Sequence, residues 1–150
     1  SLLFCIMVSI MAGCGDMELP QSPLPGQQDD YSIGGITFNM RYAPGEMVFP
    51  IGTDDSGTGS VEDPFWIAET EVTYELWRAV HSWATHIDPE DNRFYFCNGI
   101  GGSHENTEES TDQKNEPVTT VGWRDAMVWC NALTEYHNTY NGTNWTCVYN

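Results

Sequence analysis

Thiols and imidazoles are the groups with which this chain could do covalent or metal chemistry, and their spacing decides which. Cys97, Cys130 and Cys147 lie far apart in sequence. A redox-active or metal-knuckle pair needs close neighbours, so neither is predicted. Buried thiols are expected instead, Cys130 being the clearest, with a Cys97–Cys147 disulfide as the alternative that an oxidising compartment allows. His81 and His86 stand five apart, on different faces of a helix, and His104 and His137 are isolated. The four-residue histidine spacing of a helical zinc site is missing, and no metal site is predicted. Asp54 and Asp55 sit in the turn-rich GTDDSGTGS, residues 52–60, but without the ordered set of oxygen ligands that calcium takes. They read as solvated turn acids. Asn141-Gly-Thr and Asn144-Trp-Thr match the glycan acceptor pattern, which is read as chance. No catalytic residue is predicted.

A fourth cysteine has a different context. SLLFCIMVSIMAG, residues 1–13, is apolar and uncharged. It is short for a membrane span of about 20 residues and has the length of a signal-peptide apolar region. Met11-Ala12-Gly13-Cys14 resembles a bacterial lipobox. The resemblance implies cleavage before Cys14 and acylation of its thiol and new amino group, with membrane lipid as the partner. Several acyl chains anchor stably where one does not. The expected location is exported and lipid-anchored to a bacterial membrane, periplasmic or surface-exposed. The chain opens on Ser1 and ends in strand-like CVYN, so it is expected to be a piece, with the signal peptide truncated at its start. Residues 14–32, rich in Pro, Gln and Asp, are expected to form a flexible tether.

The charge balance is 22 acids against 5 bases, a formal net charge of −17. Nucleic acid is excluded as a partner because phosphate binding needs clustered Lys and Arg. Electrostatic attraction to anionic lipid is excluded on the same ground. Hydrophobic residues make up 40% of the chain and aromatics 13%, which is enough to build a core and argues against disorder throughout.

Two helices must position whatever these residues do. In WRDAMVWCNALTEYHN, residues 123–138, Trp123, Ala126, Met127, Cys130 and Leu133 recur at helical spacing. Asp125 falls in the first turn and His137 in the last, with Asn138 as the stop. Trp123 and Cys130 share a face and are expected to be buried, Trp129 to point sideways, and Asp125 to bond backbone donors near the helix start. The other helix is YELWRAVHSWATH, residues 74–86, capped by Thr73, with Leu76, Trp77, Val80, Trp83 and Ala84 on one face. Strand-like runs are ITFNM (36–40), MVFPI (47–51), FWIAETEV (65–72), FYFC (94–97) and TCVY (146–149). The order predicts a mixed α+β domain over residues 33–150, two amphipathic helices on a small, mainly antiparallel sheet. Residues 98–117 read as a long acidic surface loop, with His104, Glu105, Asn106 and Lys114 as candidate binding residues.

Three stretches in order resemble the sulfatase-modifying-factor, or formylglycine-generating-enzyme, domain. They are APGEMVFPIGTDD (43–55), FWIAETEVTYELW (65–77) and EPVTTVGWRDAMVWCNALTE (116–135). The likeness covers about Ile36 to Glu135 and implies an incomplete C-type-lectin-like fold. Within it Pro117 and Val118 form a β-like entry to the second helix. TEVTYELW, NEPVTT and WRDAMVWCNALTE are also similar to treponemal lipoproteins diversified by retroelements. Two positions depart from the family pattern, Gly122 before Trp123 and Glu46 where a second glycine is common.

The resemblance implies two functions from different classes. One is a non-enzymatic, lipid-anchored scaffold for an extracellular or periplasmic ligand, protein or glycan. The other is a formylglycine-generating oxidase, whose copper would be held by closely spaced cysteines of a missing C-terminal half. The chain in hand carries no such pair and implies no cofactor itself.

Overall fold

A computed structural model describes residues 22–87, 94–102 and 113–149. Cys14 and its lipobox, the start of the tether, and the candidate binding residues His104, Glu105 and Asn106 lie outside the described residues. In chain order the elements are β1 (Gln28–Ile33), β2 (Ile36–Ala43), β3 (Met47–Ile51), β4 (Gly57–Val61), β5 (Phe65–Ala68), α1 (Tyr74–Ile87), β6 (Ile100–Gly101), β7 (Val118–Thr119) and α2 (Trp123–Asn141). The class is α+β, and the described residues form two helices and three small antiparallel sheets of order β1-β2-β5, β3-β4 and β6-β7.

The expected tether is too long by several residues. Gln28–Ile33 pairs antiparallel with β2, from Gln28↔Arg41 to Ile33↔Ile36. The joining pair is Gly34-Gly35, both at positive φ (55° and 84°), the requirement of a two-residue hairpin turn. Tyr31 and Ile33 alternate inward with period two, and Ile33 is fully buried. Two polar aspartates mask that alternation in a plain reading of composition. Other strand expectations also shift. Residues 57–60 of the presumed turn region belong to β4, paired with β3, while FWIAETEV is strand only to Ala68. Within 94–97 and 146–149 no strand forms among the described residues. The β3–β4 hairpin carries Val48, Phe49 and Ile51 exposed.

The core lies between the helices and the β1-β2-β5 sheet. Trp77 and Trp129 are fully buried and stacked, ring centroids 5.2 Å apart and planes 4° from parallel. Their donors are both used. Trp77 Nε1 donates to Cys97 O at 3.0 Å, and Trp129 Nε1 donates to Trp77 O at 3.3 Å. Nearly two turns further along both helices, Trp83 stacks on Tyr136 at 4.9 Å. Leu76, Val80, Cys130 and Leu133 fill in around these rings.

Trp123 is a correction: the residue is 65% exposed. The buried stripe of α2 is Ala126, Trp129, Cys130, Ala132, Leu133 and His137. The first turn is instead engaged in polar contacts, Asp125 with Gly122 and Cys97, and Arg124 with Tyr95 O. These leave the Trp123 indole outside, and Trp129, expected to be peripheral, takes the central place. The helix also passes Asn138 and ends at Asn141, with Gly142 in the left-handed conformation that closes helices (φ 67°, ψ 27°).

Past Gly142 the chain doubles back along α2 as a strap. Asn138 holds Trp145 at both backbone groups, accepting from its N at 2.8 Å and donating to its O at 2.9 Å. Asn131 does the same for Tyr149, at 3.2 and 2.5 Å. Trp145 stacks on His137 with centroids 4.0 Å apart, and Tyr31 meets both rings edge-on. His137 is buried at 7% exposure, its Nδ1 3.0 Å from Thr143 Oγ1.

Trp129→Ala should destabilise the chain by about 3–5 kcal/mol, the range for a large aromatic removed from a core. Trp123→Ala should cost within about 0.5 kcal/mol. Urea unfolding of both variants checks the contrast, and a larger loss for Trp123→Ala contradicts the packing.

Burial also depresses the pKa of His137 and of His81, because both imidazolium ions lose hydration. The unfolded chain therefore takes up these protons first, near pH 6.5. The stability from the neutral rings is complete above that pH and is lost as pH falls through 6.5 toward the lower folded-state values. The melting temperature should drop between pH 7.5 and 5.5, and less steeply in His137→Gln. An unchanged slope in the variant contradicts the assignment.

Candidate functional site

Two local knots and one cavity gather the polar groups that the fold positions. The first knot is at the start of α1. Thr73 Oγ1 accepts from Leu76 N at 3.3 Å, the side-chain cap that β-region Ser and Thr residues supply. The preceding amides are claimed by another segment. Tyr74 N donates to Glu116 O at 2.8 Å and Glu75 N to Lys114 O at 3.0 Å. Val118 N returns a bond to Val72 O at 2.9 Å, and Pro117 bridges to Thr73. The three amides that open α1 are thus all satisfied within the protein. Lys114 Nζ, 3.3 Å from Glu75 Oε1, adds a surface ion pair worth little by itself.

The second knot is at the start of α2, where Gly122 has no side chain to cap with. Asp125 reaches back, accepting from Gly122 N at 3.0 Å through Oδ2. Its Oδ1 accepts from Cys97 N at 3.2 Å, and the Cys97 thiol donates to Oδ2 at 3.3 Å. Burial by itself would raise the Asp125 carboxyl. The Gly122 amide, the Cys97 thiol and amide and the Arg124 charge outweigh it, and the pKa falls below the ordinary carboxylate value. Cys97 moves the other way, its thiol pushed up first by burial and then by the facing carboxylate. A thiol held protonated is a poor nucleophile and a poor metal ligand.

Cys130, packed inside the helix pair, is pushed up to about 12 by burial. Cys147 Sγ lies 3.6 Å from Asn131 O. All of the described cysteines are free thiols, so the Cys97–Cys147 bridge is not formed. Among the described residues no three His, Cys, Asp or Glu side chains come together to hold a metal ion. With Cys97 turned to Asp125, Cys147 to Asn131 and Cys130 packed in the core, these residues do not fit a copper–dithiolate centre.

The cavity lies where β5 parts from β2. Glu69 N still donates to Asn39 O at 3.0 Å. Beyond it the chain swings away to begin α1 and leaves a gap of about 170 Å³ beside Thr37 and Phe38. Thr37, Asn39, Thr70 and Thr73 and the two glutamates Glu69 and Glu71 line it, together with apolar residues that include Leu76 and Trp129. Arg41 Nη2 sits 2.7 Å from Glu69 Oε1, and Asn39 donates to the other oxygen at 3.3 Å. These bonds hold the Glu69 carboxyl below its usual pKa, the Arg41 hydrogen bond first among them. The arginine goes to Glu69, and Glu71 stays exposed at the cavity mouth. No sequence signal marked Thr37, Asn39 or Glu69, because β2 and β5 meet only through tertiary pairing.

No described helix is long and apolar enough to cross a membrane. No curated protein and no solved structure matches the chain. A family model does, described as the sulfatase-modifying factor enzyme 1-like domain and matching residues 28–143. It begins where β1 begins and runs through both knots to the end of α2. By that match, over most of its length, the chain belongs to the sulfatase-modifying-factor family.

Proposed function

We propose that this chain is part of a membrane-anchored bacterial lipoprotein, acylated at Cys14, whose sulfatase-modifying-factor-like domain is a non-enzymatic ligand-binding scaffold. The observation that carries the reading is the use made of the thiols. Cys97 is spent on tying the loop before β6 to Asp125, and Cys130 on filling the core, both with raised pKa. Formylglycine-type oxidation, the chemistry that the family resemblance brings, asks for thiolates held together. What the described residues do build is a small cavity with hydrogen-bonding walls and an aromatic floor, the general form of a ligand site. The lipobox-like Met11-Ala12-Gly13-Cys14 and the polar stretch after it support the anchor. The partners of this reading are membrane lipid and an extracellular or periplasmic ligand, protein or glycan.

Expression of the chain in a bacterium with labelled palmitate should give a labelled, membrane-associated protein, and Cys14→Ser should lose both label and membrane association. Unlabelled wild-type protein overturns the anchor. The purified chain, given copper, oxygen and a cysteine-containing peptide, should leave the thiol intact. An aldehyde-bearing peptide product, read by mass spectrometry, overturns the non-enzymatic reading.

A further inference from the structure

The cavity between β2, the end of β5 and the start of α1 has a polarity that selects among ligands. Its polar lining residues are Glu69, Glu71, Thr37, Thr70, Thr73 and Asn39, the last of which turns its amide N–H to Glu69, and among the described residues neither Lys nor Arg lines it. Arg41, the nearest base to these acids along β2, is committed to Glu69 at 2.7 Å. Glu71 makes no ion pair with a described residue. A helix start often attracts anions through its open amides, and α1 begins beside this cavity. Here those amides are closed: Tyr74 N by Glu116 O, Glu75 N by Lys114 O, and Leu76 N by Thr73 Oγ1. The feature that would favour an anion is thus cancelled by the 113–118 segment, while the acids remain.

The floor rules in a second property. Phe38, Val72, Leu76 and Trp129 contribute hydrocarbon. The Trp129 indole N–H is turned away toward Trp77 O. At about 170 Å³ the space exceeds what one water needs and falls below the usual range for drug-sized ligands. A bare divalent ion is poorly matched, since among the described residues no three His, Cys, Asp or Glu side chains converge there.

The geometry points to this cavity as a binding site for a small primary ammonium compound, its N–H donors on the Glu71 carboxylate and threonine hydroxyls and its aliphatic body over Phe38, Leu76 and Trp129. The inference deepens the scaffold reading and rests on it. It adds the ligand's charge and its approximate size.

The test titrates the full chain with isoamylammonium chloride, the neutral isohexanol and the anionic isocaproate, followed by amide chemical shifts in NMR. The ammonium should shift Thr37, Glu71 and Thr73 saturably and bind more tightly than the other two. Glu71→Gln, a substitution at an exposed position, should weaken it by about three- to fivefold, the scale of an exposed ion pair. Added salt should weaken it as well. Glu62→Gln, outside the cavity, should leave it unchanged. Equal or tighter binding of the alcohol or the carboxylate, or equal binding by Glu71→Gln, overturns the ammonium assignment while leaving a ligand site in place. Absence of saturable shifts at these residues with all three probes overturns the site itself.

Discussion

The Trp77–Trp129 stack is the contact through which the rest of the described structure is joined. Each indole brings a large apolar area, and the offset parallel arrangement is one that aromatic pairs favour. Both rings also carry an N–H that could not be buried unpaired without cost. The fold answers with two backbone carbonyls. Trp129 donates to Trp77 O, locking α2 against α1, and Trp77 donates to Cys97 O, fixing the segment that precedes β6. A single aromatic pair therefore sets the relation of both helices and one loop. Phe96, edge-on to Trp77 with centroids 5.5 Å apart, closes the same group.

Around that centre the two helix starts are finished by opposite means. α1 has a hydroxyl cap, Thr73, and borrows the carbonyls of Glu116 and Lys114 for its remaining amides. α2 begins on a glycine and depends on Asp125, which serves the helix and the Cys97 loop at once. The first arrangement matters for recognition. By consuming the positive end of α1, the 113–118 segment leaves the adjoining cavity to the negative field of Glu69 and Glu71. The second explains why Cys97 is a structural thiol: its proton is shared with a carboxylate that the helix needs charged.

Much of α1 could be read from the chain because its apolar stripe and its cap agree. Thr73 sits just before the periodic run, and the stripe is wide enough that Leu76, Trp77 and Val80 are buried in any packing. α2 could be read as a helix but not in its orientation. Trp123, Ala126, Trp129, Cys130 and Leu133 all fall within reach of one broad face, and periodicity cannot say which indole at its margins turns inward. The partner ring on α1 decides for Trp129, and the polar work of Asp125 and Arg124 decides against Trp123. The β1 strand escaped a composition-based reading because Asp29 and Asp30 directly precede its inward residues Tyr31 and Ile33, although Gly34-Gly35 was a usable hairpin signal. The strap over α2 had no signal at all. Asn131 and Asn138 are ordinary polar helix residues until Trp145 and Tyr149 fold back onto them.

The chain by itself determined the α+β class, the two helices, the Thr73 cap of α1, the acidic balance and the family likeness. These are local or compositional properties, set by spacing along one segment. Only tertiary structure decided which tryptophan is central, which glutamate Arg41 takes, how Cys97 comes to face Asp125, and that β5 leaves β2 early enough to open a cavity. Each of those pairs residues distant in sequence, and such pairing follows from how separate faces fit together, a matter of shape and competing partners that no single segment encodes.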